Sequence, residues 1–272
     1  MRFYLRPTRH PSEESYPTTV STTNKKLPQW LKPVLAAIFW LALWSAAALY
    51  VSQELILPSP ISVFRTLLYL CGRPEFWKAA ALSLLRIFGG FAAGTVLGTL
   101  LAVLTARFDL MDTLFSPLIR IVRTTPVASF IILALLWMGH ALVPAFMAML
   151  MVTPIVWESL RAAILAVDPE LLEMAFIYRF GAVKTIKLVY IPSVLSPYAA
   201  SLATAVGLAW KSGIAAEVLC LPRLAIGTNL YYSKIYLETP SLFAWTIVVI
   251  VLSFMLEGLF SRLLRKRRKK RW

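Results

Sequence analysis

The sequence predicts an all-α membrane protein with six transmembrane helices, and three observations carry that expectation. Of the 272 residues, 59% are hydrophobic and only 15% are charged, whereas a soluble domain carries about 25% charged residues. The apolar residues fall into long charge-free blocks, and about 20 such residues suffice to cross a bilayer as a helix. The net charge of +15 gathers in the segments between those blocks, the bias of cytoplasmic loops. That distribution argues against a nucleic-acid partner, whose basic patch would lie on a folded face.

Residues 1–32 read as a flexible cytoplasmic tail. The run Pro17-Thr18-Thr19-Val20-Ser21-Thr22-Thr23-Asn24 has nothing to bury, and no apolar stretch there suggests a cleavable signal. The first span occupies 33–54, and five more helices make a transmembrane domain over 78–262. The second span, about Leu84–Ala106, carries Gly90, Gly94 and Gly98 on one face, a seam on which another helix can pack closely. Residues 124–157 hold no Asp, Glu, Lys or Arg, too long a stretch for one span. Gly139-His140 and Pro144 divide it. The third span therefore starts near Pro117, with Arg120 and Arg123 at the interface, and the fourth runs from about Leu142 to Glu158. The fifth covers about Ser193–Leu219 and the sixth about Pro240–Leu264, leaving a basic cytoplasmic tail at 263–272. With both termini in the cytoplasm, 21 Lys/Arg lie inside and five outside, the asymmetry that the positive-inside rule demands. The basic C-terminus suits anionic membrane lipid.

Two cysteines, Cys71 and Cys220, and two histidines, His10 and His140, make neither a disulfide framework nor a metal-binding spacing. No G-x-x-x-x-G-K-[ST] phosphate loop and no HExxH pair occurs. No catalytic residue, metal or cofactor is expected in this chain.

The segment 161–192 is the longest of the cytoplasmic connections. Asp168 is a good N-cap, Pro169 suits the first helical position, and Glu170 and Glu173 suit the positive end of a helix dipole. A short helix should start here and end near Gly181 in a left-handed stop. Its Leu171, Leu172, Ala175 and Phe176 are apolar surface that no soluble domain of this chain can cover. It is either a linker helix on the membrane or a helix that docks into a cytoplasmic partner.

This segment resembles the coupling loop of ABC-importer permeases. Glu173-Met174-Ala175 stands where that family has Glu-Ala-Ala, and Ile191-Pro192 follows at the family's separation. One departure is Arg179, where the family usually has Gly; Gly181 lies two residues later. Leu57-Pro58-Ser59-Pro60, Ser83-Leu84-Leu85-Arg86, Pro117-Leu118, Arg123-Thr124-Thr125-Pro126 and Ala215-Ala216-Glu217 are similar, in the same order, to the nitrate, taurine and aliphatic-sulfonate branch. The resemblance implies a type I ABC-importer permease fold that moves a small solute across a bacterial cell membrane. It also implies partners: ABC ATPase subunits that bind the ATP, an extracytoplasmic solute-binding protein, and a second permease copy in a homodimer. Asp168, Pro169, Glu170, Glu173, Met174, Ala175, Arg179, Gly181, Ile191 and Pro192 would form the ATPase-coupling set.

Lys211 and Glu217 lie inside the fifth span and are expected in a pathway or gate, because a charge in a span is costly without a use. At about 100° per residue they stand on different helix faces, so each needs its own partner. Glu257, near the inner end of the sixth span, raises the same question. The competing reading is a gradient-driven secondary transporter or channel without an ATPase, which leaves the capped helix without a purpose. A membrane-embedded enzyme fits less well, for want of paired carboxylates or a His cluster.

Overall fold

In the computed structural model the backbone is described for residues 31–269 and the side chains for 31–262. The proposed tail thus falls outside the described residues up to residue 30, as do the side chains of the basic C-terminus. The chain divides into two units at Leu43/Trp44. The first is represented by the start of α1 (Leu31–Val51), an apolar helix long enough to span. Everything that follows lies in the second unit.

Ser59 caps α2 (Pro60–Cys71), its hydroxyl accepting from the Ser62 amide at 3.2 Å. This short helix lies in a connection for which the sequence suggested no element. Pro74 opens α3 (Pro74–Arg107). The second span therefore begins ten residues before Leu84, and its 34 residues make a rod of about 50 Å. α4 (Asp109–Thr124) and α5 (Val127–Trp137) meet at a bend of 108°. This corrects the single third span expected from Pro117. Pro126 has no amide to donate and disfavours a helical Thr125, which is extended. α5 alone, at 11 residues, is about 16 Å long, too short for a hydrocarbon core of about 30 Å. α6 (Val143–Leu165) begins after the Gly139-His140 turn, as the charge-free stretch suggested.

α7 (Pro169–Ile177) and the single turn α8 (Ala182–Thr185) follow. From Ala182 the helix runs through a π-turn at 186–190 into α9 (Ile191–Cys220). The fifth span thus begins before Ser193 and exceeds the bilayer. Pro192 explains the widened turn: it offers no amide, and the Ile191 amide reaches back to the Ile186 carbonyl. α10 (Ile226–Ile235) packs beside α9, and α11 (Thr239–Lys269) closes the chain. Among the described residues, five helices are long and apolar enough to cross a membrane, and the bent α4–α5 pair makes six. The expected count of six thus holds only with a broken third member.

The core lies between α3, α6, α9 and α11, where Phe91, Val152, Val156, Ala209, Trp210 and Trp245 are buried. Trp210 satisfies its indole N–H on the Val249 carbonyl at 3.1 Å. The glycine seam of α3 faces α6. A Cβ on Gly94 would stand 2.6 Å from the Met149 carbonyl oxygen, and one on Gly98 would stand 2.8 Å from that of Thr153; Gly90 abuts Ala145 and Ala148. These glycines bring two backbones into contact within one subunit. They are consumed there and lend no surface to a homodimer.

Candidate functional site

The connection between α6 and α9 folds into a capped knuckle. The Asp168 carboxylate accepts from the Glu170 amide at 2.9 Å, and Pro169 opens α7. The helix ends before Gly181. The Phe180 amide reaches the Ala175 carbonyl at 2.8 Å and the Arg179 amide reaches Phe176 at 3.0 Å, with Arg179 left-handed at φ 52°. That paired pattern is a Schellman stop, and it corrects the expected end. Arg179 itself takes the conformation that the family's usual Gly would adopt at no steric cost, at a penalty of about 1–2 kcal/mol. Gly181 has φ −67° and instead caps α8, its carbonyl accepting from Lys184 and Thr185. Lys184 lies over the Phe180 ring at 4.3 Å and braces the turn.

One side of α7 is used by the chain itself. Ala175 and Leu172 pack with Val167, Phe180, Val189, Tyr190 and Val194. This differs from the expectation that Leu172 and Ala175 would be free. The other side is bare: Phe176, Ile177 and Tyr178 are 85%, 75% and 71% exposed, and Leu171 and Met174 are also exposed. Glu170 and Glu173 stand exposed among them, and neither makes an ion pair among the described residues. Ile191 and Pro192 are exposed at the start of α9. The knuckle therefore holds an apolar surface with a carboxylate margin on a base fixed to α9.

The two ionisable residues of α9 have opposite surroundings. Glu217 is fully buried. Its Oε2 accepts from the Ser83 hydroxyl at 2.8 Å and the Gly227 amide at 3.1 Å, and its Oε1 lies 3.7 Å from Arg86 Nη1. Ser83 in turn accepts from the Ile226 amide at 3.0 Å. Arg86 donates to the carbonyls of Arg223 at 3.0 Å and Leu224 at 3.3 Å. One cluster thus ties α3, α9 and the start of α10 together. It holds a segment in which Leu221 and Leu224 are both left-handed, each costing about 1–2 kcal/mol. Gly227 is needed for this approach, since a Cβ there would stand 2.6 Å from the Val218 nitrogen. Lys211 is exposed and has no ion-pair partner among the described residues. It shares one face of α9 with Ala200, Thr204, Leu208, Ala215 and Leu219, all exposed. Glu257 on α11 packs over Gly207, where a Cβ would stand 2.6 Å from its carboxyl oxygen. Sequence reasoning missed Arg86 and Ser83 as partners of Glu217, although the charge of Arg86 inside a span was a legible signal.

Comparison with known proteins agrees with this architecture. Residues 94–269 match the family described as binding-protein-dependent transport system inner membrane component. The permease SsuC of Bacillus subtilis (strain 168), named for aliphatic sulfonates transport, is 24% identical over 261 residues, covering 93% of this chain and 94% of that protein. The taurine transport system permease TauC of Escherichia coli (strain K12) is 23% identical, over 79% of this chain and 80% of that one. The bicarbonate transport system permease CmpB of Synechococcus elongatus is 26% identical, over 78% and 80%. A solved amino acid ABC transporter has the same fold, with a TM-score of 0.59 at 19% identity, over 72% of this chain and 94% of that one. With about two thirds of its length inside the family match and its apolar helices in the matching fold, this chain belongs to the inner membrane component family of binding-protein-dependent transport systems and is a multi-pass ABC-importer permease.

Proposed function

We propose that this permease imports a small solute bearing an anionic group, driven by ATP hydrolysis on separate ABC ATPase subunits that seat on α7. The observation that carries this reading is the exposed apolar side of a capped helix, held on a knuckle continuous with α9. A rigid lever of that kind suits a partner that pushes, and a helix laid in a groove is a common docking mode. Among the relatives above, sulfonates, taurine and bicarbonate all carry an anionic group, which supports the solute class. Nitrate belongs to the same chemical set. An extracytoplasmic binding protein delivers the solute, and a second copy of the chain completes the passage.

Both termini lie in the cytoplasm in this reading, on the motive of 21 basic residues inside against five outside. Cys71, half-buried, then faces the exterior. A membrane-impermeant thiol reagent should label it from outside in a variant lacking Cys220. Protection of Cys71 together with external cleavage of the C-terminal tail would reverse the topology.

Lys211 lines the passage. α9 runs from the cytoplasm outward, and helix side chains lean toward the helix N-terminus, so its ammonium is directed inward. About 13 Å of helix separate it from the outer end at Cys220. Snorkelling outward works against that direction, and a charge facing lipid near the span centre costs about 3 kcal/mol. Its face is otherwise mostly small or polar, which suits a water-filled path formed with the second copy. Lys211→Ala should lower uptake at least about tenfold, the worth of roughly 1.4 kcal/mol, at unchanged membrane abundance. Lys211→Arg should retain most of it. Normal uptake by Lys211→Ala would return this residue to the interface.

A further inference from the structure

Outside the coupling knuckle and the Glu217 cluster, one group of charges has no assigned work. Between α4 and the C-terminal half of α6 lies a cavity of about 480 Å³, lined by Arg120, Arg123 and Arg161, with Ile119, Trp157 and Glu158 among the other walls. Arg161 donates to Asp112 at 2.8 Å, and Asp112 also accepts from the Ser116 hydroxyl at 2.5 Å. Arg123 pairs with Glu158. Arg120 has no ion-pair partner among the described residues. Three guanidinium groups thus meet two carboxylates, and one positive charge is left over. The Nε of Arg161 is buried with no acceptor among the described residues. A guanidinium offers five donors in a planar fork, so most of the donor capacity here is unspent.

The direction of this charge is informative. On α4, Leu110, Leu114, Leu118 and Ile121 recur at three- and four-residue spacing and are all exposed. Asp112, Ser116, Arg120 and Arg123 fall on the opposite side and turn toward α6. The helix therefore offers its apolar face to one surrounding and its basic face to another. The floor is Trp157, which fixes its indole on Thr105 at 2.9 Å and lies 5.8 Å from the Arg161 guanidinium. A rigid aromatic wall beside fork-shaped donors is the arrangement that recognises a planar or tetrahedral oxyanion with a short organic tail.

We propose that the cleft between α4 and α6 is an anion-binding site in which Arg120, Arg123 and Arg161 hold the sulfonate or carboxylate group of the solute. This rests on the import reading given above and names the site that would receive the solute as it leaves. Arg120, exposed and without an ion-pair partner among the described residues, is the first donor to meet the anion.

The test uses the full-length permease in detergent, alone and with its ATPase, with ethanesulfonate, taurine and bicarbonate as probes and sodium chloride at equal ionic strength as control. At least one probe should raise the unfolding midpoint of the permease alone by about 2 °C or more, since a ligand of the folded state stabilises it. Arg120→Gln should lose that shift and Arg120→Lys should keep part of it. Arg120 makes no ion pair among the described residues, so Arg120→Gln should elute and retain the ATPase like the parent. The absence of any shift with all three probes, or an equal shift in Arg120→Gln, overturns the site. In nanodiscs, an Arg120-dependent shift on exchanging phosphatidylcholine for phosphatidylglycerol, with no response to the free anions, assigns the cleft to a lipid phosphate and overturns the proposal as well. Failure of the parent permease to hold an ATPase would count against the import reading instead, and leaves the anion shift to be judged by itself.

Discussion

A Glu173→Lys permease is expected to insert at its normal level, to shed its ATPase on solubilisation and to lose uptake. Glu173 is exposed on α7 and makes no ion pair among the described residues, so the fold does not depend on it. Its favourable interaction with the helix dipole is at most about 1 kcal/mol. The base of α7 is secured elsewhere, by the Asp168 cap, the Schellman stop at Arg179 and the packing of Ala175. What the substitution changes is the margin of the apolar patch formed by Leu171, Met174, Phe176, Ile177 and Tyr178. If that patch is covered by an ATPase, a cation placed in a contact shaped for a carboxylate incurs several kcal/mol. At about 1.4 kcal/mol per factor of ten, retention should fall at least about a hundredfold. Full retention with full uptake would leave α7 as a linker helix and remove the main support for coupling.

The second large effect is expected at Glu217, and it should look different. Glu217→Ala leaves the Gly227 amide without its acceptor, deprives Ser83 of the group it donates to, and strands the Arg86 charge. Removing one partner of a buried pair costs about 3–5 kcal/mol. The strained turn at Leu221 and Leu224 would lose part of its grip at the same time. Membrane abundance should therefore fall severalfold, with protease cutting between 221 and 235. Glu217→Gln keeps an acceptor for Ser83 and Gly227 and should restore much of the abundance. This separates Glu217 from Lys211, although the sequence placed both in a pathway. We now propose Glu217 as the anchor of the outer segment. Loss of uptake in Glu217→Ala at full abundance, with no new cutting, would return it to the passage.

How much was legible follows from the range over which each feature is determined. The cap of α7 is local, so Asp168-Pro169 identified its start without tertiary information. Its stop is also local, yet the reading chose Gly181 over Arg179, because a left-handed residue is sought at glycine and here falls on arginine. The seam at Gly90, Gly94 and Gly98 was visible as spacing, but its partner α6 was not, since spacing says nothing about what approaches. The Glu217 cluster joins residues 134 positions apart, and no pattern along the chain links them. The break between α4 and α5 was written in Thr125-Pro126. It was overlooked because the charge-free stretch around it read as two whole spans. The helices α2 and α10 were missed for a simpler reason: ten to twelve residues are too few to show a period clearly when both faces are partly covered.

We propose that ATP hydrolysed on a partner drives this permease, in the direction set by its topology. Proteoliposomes holding the permease, its ATPase and the binding protein, with the energy source varied, decide this. Solute should move toward the face on which the C-terminal tail is open to protease, only when hydrolysable ATP is supplied on that face. A protonophore should leave the rate unchanged. Uptake that persists without ATP or ATPase and collapses when an ion gradient is dissipated would contradict the account and make the chain a gradient-driven transporter.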